Sequence, residues 1–197
     1  MKILVLGDIM GASGRKVVQN NLKKIINNYE INFTIVNGEN SAEDGKGITK
    51  SIAEELFSLG VDTITSGNHI WDKEEIIEFI NKENRLLRPA NLAEGSPGNG
   101  FGIYSTKDQK FKVGVINLMG NVFMRKTEDV FQVAKKIKET IVLKKNVDFI
   151  VVDFHGEITS EKMAIGHFFD GFSTGVVGTH THVPTADSRI LDNGTAY

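Results

Sequence analysis

Short apolar runs of strand length alternate with segments of helical periodicity, and this alternation constrains the fold more than any other feature. Residues 2–7 (KILVLG), 33–37 (FTIVN) and 61–66 (VDTITS) read as strands. Between them, Val18, Leu22, Ile25, Ile26 and Tyr29 recur at helical spacing over 15–29. Ile52, Leu56 and Leu59 do the same over 51–59. Asp72 followed by Glu75 predicts a capping box that opens a helix reaching Glu83, with Ile76, Ile77 and Ile80 as its apolar stripe.

Beyond this the pattern changes character. Residues 84–100 are turn-rich, with Pro89, Gly95, Pro97, Gly98 and Gly100. Strands at 101–105 and 111–117 lie close enough in sequence to form an antiparallel hairpin. Residues 127–145 predict the longest helix, with Val130, Ala134, Ile137 and Ile141 on one face, acids leading and lysines ending it. A strand at 147–153, a helix at 160–169 and strands at 174–178 and 188–191 complete the expectation. No repeat, low-complexity tract or linker divides the chain. The expected class is α/β, a single domain over residues 1–197 with mixed sheet.

Composition narrows the chemistry. The chain has 197 residues, 40% hydrophobic and 24% charged, enough to bury a core. It has no cysteine, which excludes disulfides, thiolate catalysis, cysteine zinc sites and iron–sulfur clusters. The net charge of −2 gives no electrostatic footprint for nucleic acid, so no stable nucleic-acid complex is expected. No apolar run approaches the roughly 18–20 residues of a membrane span. Asp8 interrupts the opening apolar stretch too early for a signal peptide, so a cytoplasmic protein is expected. A homo-oligomer is compatible with all of this.

The residues just beyond the strands are more telling. LVLGD ends in Asp8, IVNGEN in Glu39 and Asn40, and TSGNH in Asn68 and His69. VVDFHGE supplies His155, and VVGTHTH supplies His180 and His182. In α/β sheets the carboxyl ends of the strands form the ligand-binding edge. Taken singly, Asp8, Asn40 and Asn68 read as turn formers or caps, and His155 as a hydrogen-bonded core histidine. His180 and His182 are stronger as a pair, because alternate residues of an extended segment point the same way. Four of the five histidines follow apolar strands; His167 lies in a helical pattern and reads as structural. Carboxylate, amide and imidazole donors suit Mn²⁺, Fe²⁺/Fe³⁺, Zn²⁺ or Co²⁺. The donors outnumber one ion's needs and would serve two ions about 3.5–4 Å apart bridged by one carboxylate. Gly11-Ala-Ser-Gly14-Arg15 opens a helix without the ending of a Walker loop.

The fragments GDIMG, NGEN, GNHIWDK, RPAN, DFHGEITSEK and GTHTHVPTAD resemble the YmdB-like branch of the calcineurin-type metallophosphoesterases, from Met1 to Tyr197. Met10 stands where the broader superfamily has a histidine ligand, and Glu39-Asn40 where it has an aspartate, as in this branch. The resemblance implies a four-layer α/β/β/α sandwich. It implies one metal on Asp8, Glu39, Asn40 and His182, and another on Glu39, Asn68, His155 and His180, with Glu39 bridging. His69 matches the catalytic histidine. The implied cofactors are two iron or manganese ions. The implied activity is hydrolysis of cyclic-nucleotide phosphodiesters, 2′,3′ and 3′,5′, by a metal-bridging hydroxide with His69 assisting the leaving group. The chain departs from the family pattern twice. It is expected to lack a C-terminal segment that adds strands to the second sheet, and Gly120-Asn121 stands where Gly-Arg is expected. A non-catalytic metal- or nucleotide-binding regulator and a nucleotide phosphomonoesterase are the alternative readings.

Overall fold

The computed structural model describes residues 1–197, which form two compact units. The first comprises Met1–Arg88 with Pro97–Asn99; the second comprises Pro89–Ser96 with Gly100–Tyr197.

The first unit is built on a three-stranded parallel sheet of β1 (Ile3–Leu6), β2 (Phe33–Asn37) and β3 (Thr63–Thr65), in that order. Every residue of the central strand β2 is buried. That is the expected state of a parallel strand covered on both faces by its crossover helices. The first crossover is α1 (Gly11–Tyr29), which ends where Glu30 turns left-handed at φ 54°. The second is α2 (Lys50–Ser58), opened by the Thr49 hydroxyl accepting from Ile52 N. It buries Ile52, Ala53 and Leu56. Arg85–Leu87 flanks β3, with Ile64 N donating to Arg85 O and Leu87 N to Ile64 O.

The second unit carries a four-stranded mixed sheet in the order β4 (Phe101–Ser105), β5 (Lys112–Met119), β6 (Phe149–His155), β7 (Gly175–Thr179). β4 and β5 form the expected antiparallel hairpin; β5, β6 and β7 run parallel. α4 (Val130–Thr140) connects β5 to β6, and α5 (Thr159–Phe168) connects β6 to β7. Val130, Ala134 and Ile137 of α4 join Ile116, Ile150 and Val152 of the sheet in the core. The expected α/β class, with parallel and mixed sheets, is the one that forms.

Three local expectations are corrected. No capping box forms at Asp72: α3 spans only Ile76–Ile80, with Glu75 as its cap residue, because Asp72 and Glu75 each bond elsewhere. The longest helix is α1, at 19 residues, rather than the segment 127–145. α4 has 11 residues; Ile141 is extended at its C-terminus, and Asn146 Oδ1 accepts from Val142 N and diverts the chain. Finally, 188–191 forms no strand, only a bridge from Ile190 to Ala196, and Ala196 also bridges Gly175 of β7.

Candidate metal-ligating residues of the two units

In the first unit each strand delivers its residues through a short turn. Asp8 follows β1 by two residues, and Ile9 N donates to Asn37 O at the end of β2. After β2 the chain must turn in a crowded place. A Cβ on Gly38 would lie 2.9 Å from Ile64 Cγ2 and 3.1 Å from Ile48 Cδ1, so only glycine fits there without displacing neighbours. The turn buries Glu39 completely. Its backbone N–H donates to Asn37 Oδ1 at 3.2 Å. Its Oε1 accepts from Asn40 Nδ2 at 3.0 Å, and its Oε2 accepts from the backbone N–H of His69 at 3.0 Å. The Glu39 carboxylate thus fastens the loop after β2 to the loop after β3. A buried carboxylate needs such donors, since unpaired burial of a charge is expensive.

Asn68 and His69 follow β3 and are half-buried. His69 Nδ1 lies 2.7 Å from Asp72 Oδ2. Asp72 is a partner of His69 that the sequence reading does not assign to the site. The available signal was its position three residues beyond the histidine, which reads equally well as a helix cap.

In the second unit, His155 ends β6 and is fully buried. His180 follows β7 directly. His180 Nδ1 lies 3.0 Å from His155 Nε2, and the rings meet edge to face at 79°. His180 Nε2 lies 3.0 Å from Glu157 Oε2. His155 Nδ1 lies 3.0 Å from Thr179 Oγ1, and that hydroxyl donates to Asp153 Oδ1 at 2.7 Å. Glu157, Thr179 and Asp153 also escaped the sequence reading, although all sit inside its motifs.

The segment 180–182 is not extended. His180 has φ 97° and His182 has φ 55°, so the expected alternation does not orient the pair. Left-handed backbone at non-glycine residues costs of order 1–3 kcal/mol each and persists where surroundings over-determine it, typically at functional sites. His182 is exposed, whereas His180 is half-buried against His155. His167 lies within α5, in the helical segment expected of it. Gly11 to Arg15 are helical; Arg15 donates to Ser41 O at 2.7 Å and pairs with Glu43.

These donors fit a metal ion. Two ligand nitrogens at about 2.0–2.1 Å from one ion, in tetrahedral geometry, stand about 3.3 Å apart. The facing nitrogens of His155 and His180, at 3.0 Å, lie about 0.3 Å short of that spacing. The oxygen and nitrogen donors of both units, with no sulfur among them, are those that borderline and harder ions accept.

The family described as YmdB-like protein matches residues 4–197. A 2′,3′-cyclic-nucleotide 2′-phosphodiesterase of Bacillus subtilis is 47% identical over 197 residues, covering 100% of this chain and 73% of that protein. The crystal structure of a hypothetical protein from Thermus thermophilus superposes with a TM-score of 0.90 at 36% identity, over 100% of this chain and 74% of the other. That of a novel phosphatase of Mycoplasma pneumoniae gives 0.89 at 38% identity, over 100% and 70%.

Proposed function

The chain belongs to the YmdB-like protein family and is a phosphoesterase, and from that premise we propose that it hydrolyses the phosphodiester of cyclic nucleotides. One observation carries the reading. Strands β1, β2, β3, β6 and β7 each run into carboxylate, amide or imidazole side chains at their carboxyl ends. The name of the relative at 47% identity supports 2′,3′-cyclic nucleotides as the substrate class; 3′,5′-cyclic nucleotides are a second candidate, implied by the family resemblance alone.

In this proposal residues 1–197 act as one catalytic domain with two ions, iron or manganese. Asp8, Glu39, Asn40 and His182 hold one; Glu39, Asn68, His155 and His180 hold the other. When bound, such ions neutralise phosphoryl charge and lower the pKa of bound water. The chain's own residues do the rest. Asp72 accepts from His69 Nδ1–H, which orients the ring so that Nε2 faces a leaving oxygen and can donate a proton there. Glu39 holds the His69 backbone and the Asn40 amide, so a single carboxylate sets the positions of both loops.

The test uses the chain purified without chelator. Elemental analysis is combined with rates on 2′,3′-cyclic AMP, bis-p-nitrophenyl phosphate and p-nitrophenyl phosphate, with and without Mn²⁺. Metal-dependent turnover of the diesters at about two ions per chain supports the proposal. Turnover of the monoester alone would replace it with a phosphomonoesterase, and bound metal without turnover would replace it with a regulator. No helix is long and apolar enough to cross a membrane.

A further inference from the structure

We propose that Thr179 and Asp153 are positioning residues that fix the tautomer of His155 through a directed chain of hydrogen bonds. The proposal rests on the reading of His155 as a metal ligand. Sheet geometry supplies the arrangement. Asp153 and His155 are two apart on β6, so their side chains share a face. Thr179 on β7 stands in register with His155. All three are buried, with 1%, 0% and 6% of their surface exposed for Asp153, His155 and Thr179.

The direction of the chain follows from proton counting. A threonine hydroxyl has one proton to give and lone pairs to receive. A carboxylate only accepts, so the proton of Thr179 goes to Asp153 Oδ1, at 2.7 Å. The same hydroxyl oxygen lies 3.0 Å from His155 Nδ1 and must therefore accept from it. A neutral His155 then carries its proton on Nδ1 and its lone pair on Nε2. That is the nitrogen that faces His180 Nδ1, the side on which an ion would sit. A ligating histidine is commonly held in this way by an oxygen partner on its other nitrogen, and loss of such a partner lowers metal affinity about 10–100-fold.

The experiment reads the tautomer directly in the metal-free chain. Long-range ¹H–¹⁵N correlation spectra of ¹⁵N-histidine-labelled protein report which ring nitrogen carries the proton, and loss of a signal in His155→Gln assigns it. The wild type and Thr179→Ser should show the proton on Nδ1. Thr179→Val, which keeps the shape and removes the hydroxyl, should lose that preference. In parallel, Mn²⁺ affinity by equilibrium dialysis should fall about 10–100-fold in Thr179→Val and stay near wild type in Thr179→Ser. A wild-type proton on Nε2 would overturn the proposal, as would a Thr179→Val variant with unchanged tautomer and affinity. If Thr179→Val does not fold, the wild-type and Thr179→Ser tautomers decide. If the wild type binds no Mn²⁺, the metal-centre reading fails, while the spectra still decide the positioning.

Discussion

Truncating His69 and its partner Asp72 in turn should separate leaving-group assistance from mere structure. The Asp72 carboxylate accepts from the His69 ring at 2.7 Å. A hydrogen bond to a charged group contributes about 1.5–3 kcal/mol, against about 0.5–1.5 kcal/mol for a neutral one. At 1.36 kcal/mol per tenfold, Asp72→Ala should then lower kcat about 13- to 160-fold if the whole bond acts on the transition state. Asp72→Asn keeps an acceptor without charge, so its loss is smaller, about 5- to 13-fold. His69→Ala removes the proton donor itself and should lose about 10²–10⁴-fold. The His69 bond to Glu39 is made by the backbone, so it survives the substitution, and metal content should hold at the wild-type level. The assay compares 2′,3′-cyclic AMP with bis-p-nitrophenyl phosphate. The ribose alkoxide needs a proton as it leaves, whereas nitrophenolate does not, so the losses should shrink to a few-fold on the second substrate. Equal losses on both substrates would refute leaving-group assistance. So would Asp72→Ala being more damaging than His69→Ala, since a partner cannot contribute more than the group through which it acts.

Other parts of the molecule carry further expectations. Glu39→Ala removes the carboxylate that ties Asn40 to His69, and should lose both bound metal and activity; a variant that retains two ions at full rate would refute the bridging assignment. The hydrogen bond from the Arg85 side chain holds the Glu83 carboxyl below the usual glutamate range. A group lowered on folding stabilises above its unfolded pKa, about 4.3, and that contribution disappears as pH falls through the folded value. The melting-temperature gap between wild type and Glu83→Gln should therefore be full at pH 6–7 and close below pH of about 4, and a gap that widens in acid would contradict the sign. Gly100→Ala would bring a Cβ against the Ala90 backbone, within 2.8 Å of its nitrogen. Overpacking of this kind costs about 1–3 kcal/mol, so Tm should drop by at least about 2 °C, and an unchanged melt would show that this crossing yields freely. Asp129 Oδ1 caps α4 by accepting from Phe131 N and Gln132 N at 2.9 and 3.0 Å. Asp129→Ala should destabilise the chain by about 0.5–2 kcal/mol in denaturant titration, with activity retained.

Much of the fold could be read from the chain because its signals are local. Phe33, Ile35 and Val36 make β2 largely apolar, and a run such as FTIVN, buried at all five positions, has few ways to bury itself except as a covered parallel strand. The hairpin of β4 and β5 follows from the short spacing of its strands. What failed was end chemistry. Asp72 and Glu75 have the spacing of a cap box, yet Asp72 bonds the His69 ring and Glu75 accepts from Lys50 N, 25 residues away. The donor to Glu75 is distant and leaves no trace in its neighbourhood, while the His69 ring is near Asp72 but competes with the helix end for it. The end of α4 was misjudged for a related reason: the helical periodicity continues to Ile141, but Asn146 offers the backbone a better partner.

The candidate ligands divide in the same way. Asp8, Glu39, Asn40, Asn68, His69, His155, His180 and His182 were legible as types at strand ends, because the α/β alternation dictates which end of each strand meets a ligand. Orientation was not legible. His180 and His182 were expected to align through an extended backbone, and instead both sit at positive φ. The ring of His155 is aimed by Thr179, 24 residues away in sequence but adjacent across the sheet. Periodicity along one strand states which face a side chain takes. Which partner holds it there depends on the register between strands, and that register is set by the packing of the whole sheet.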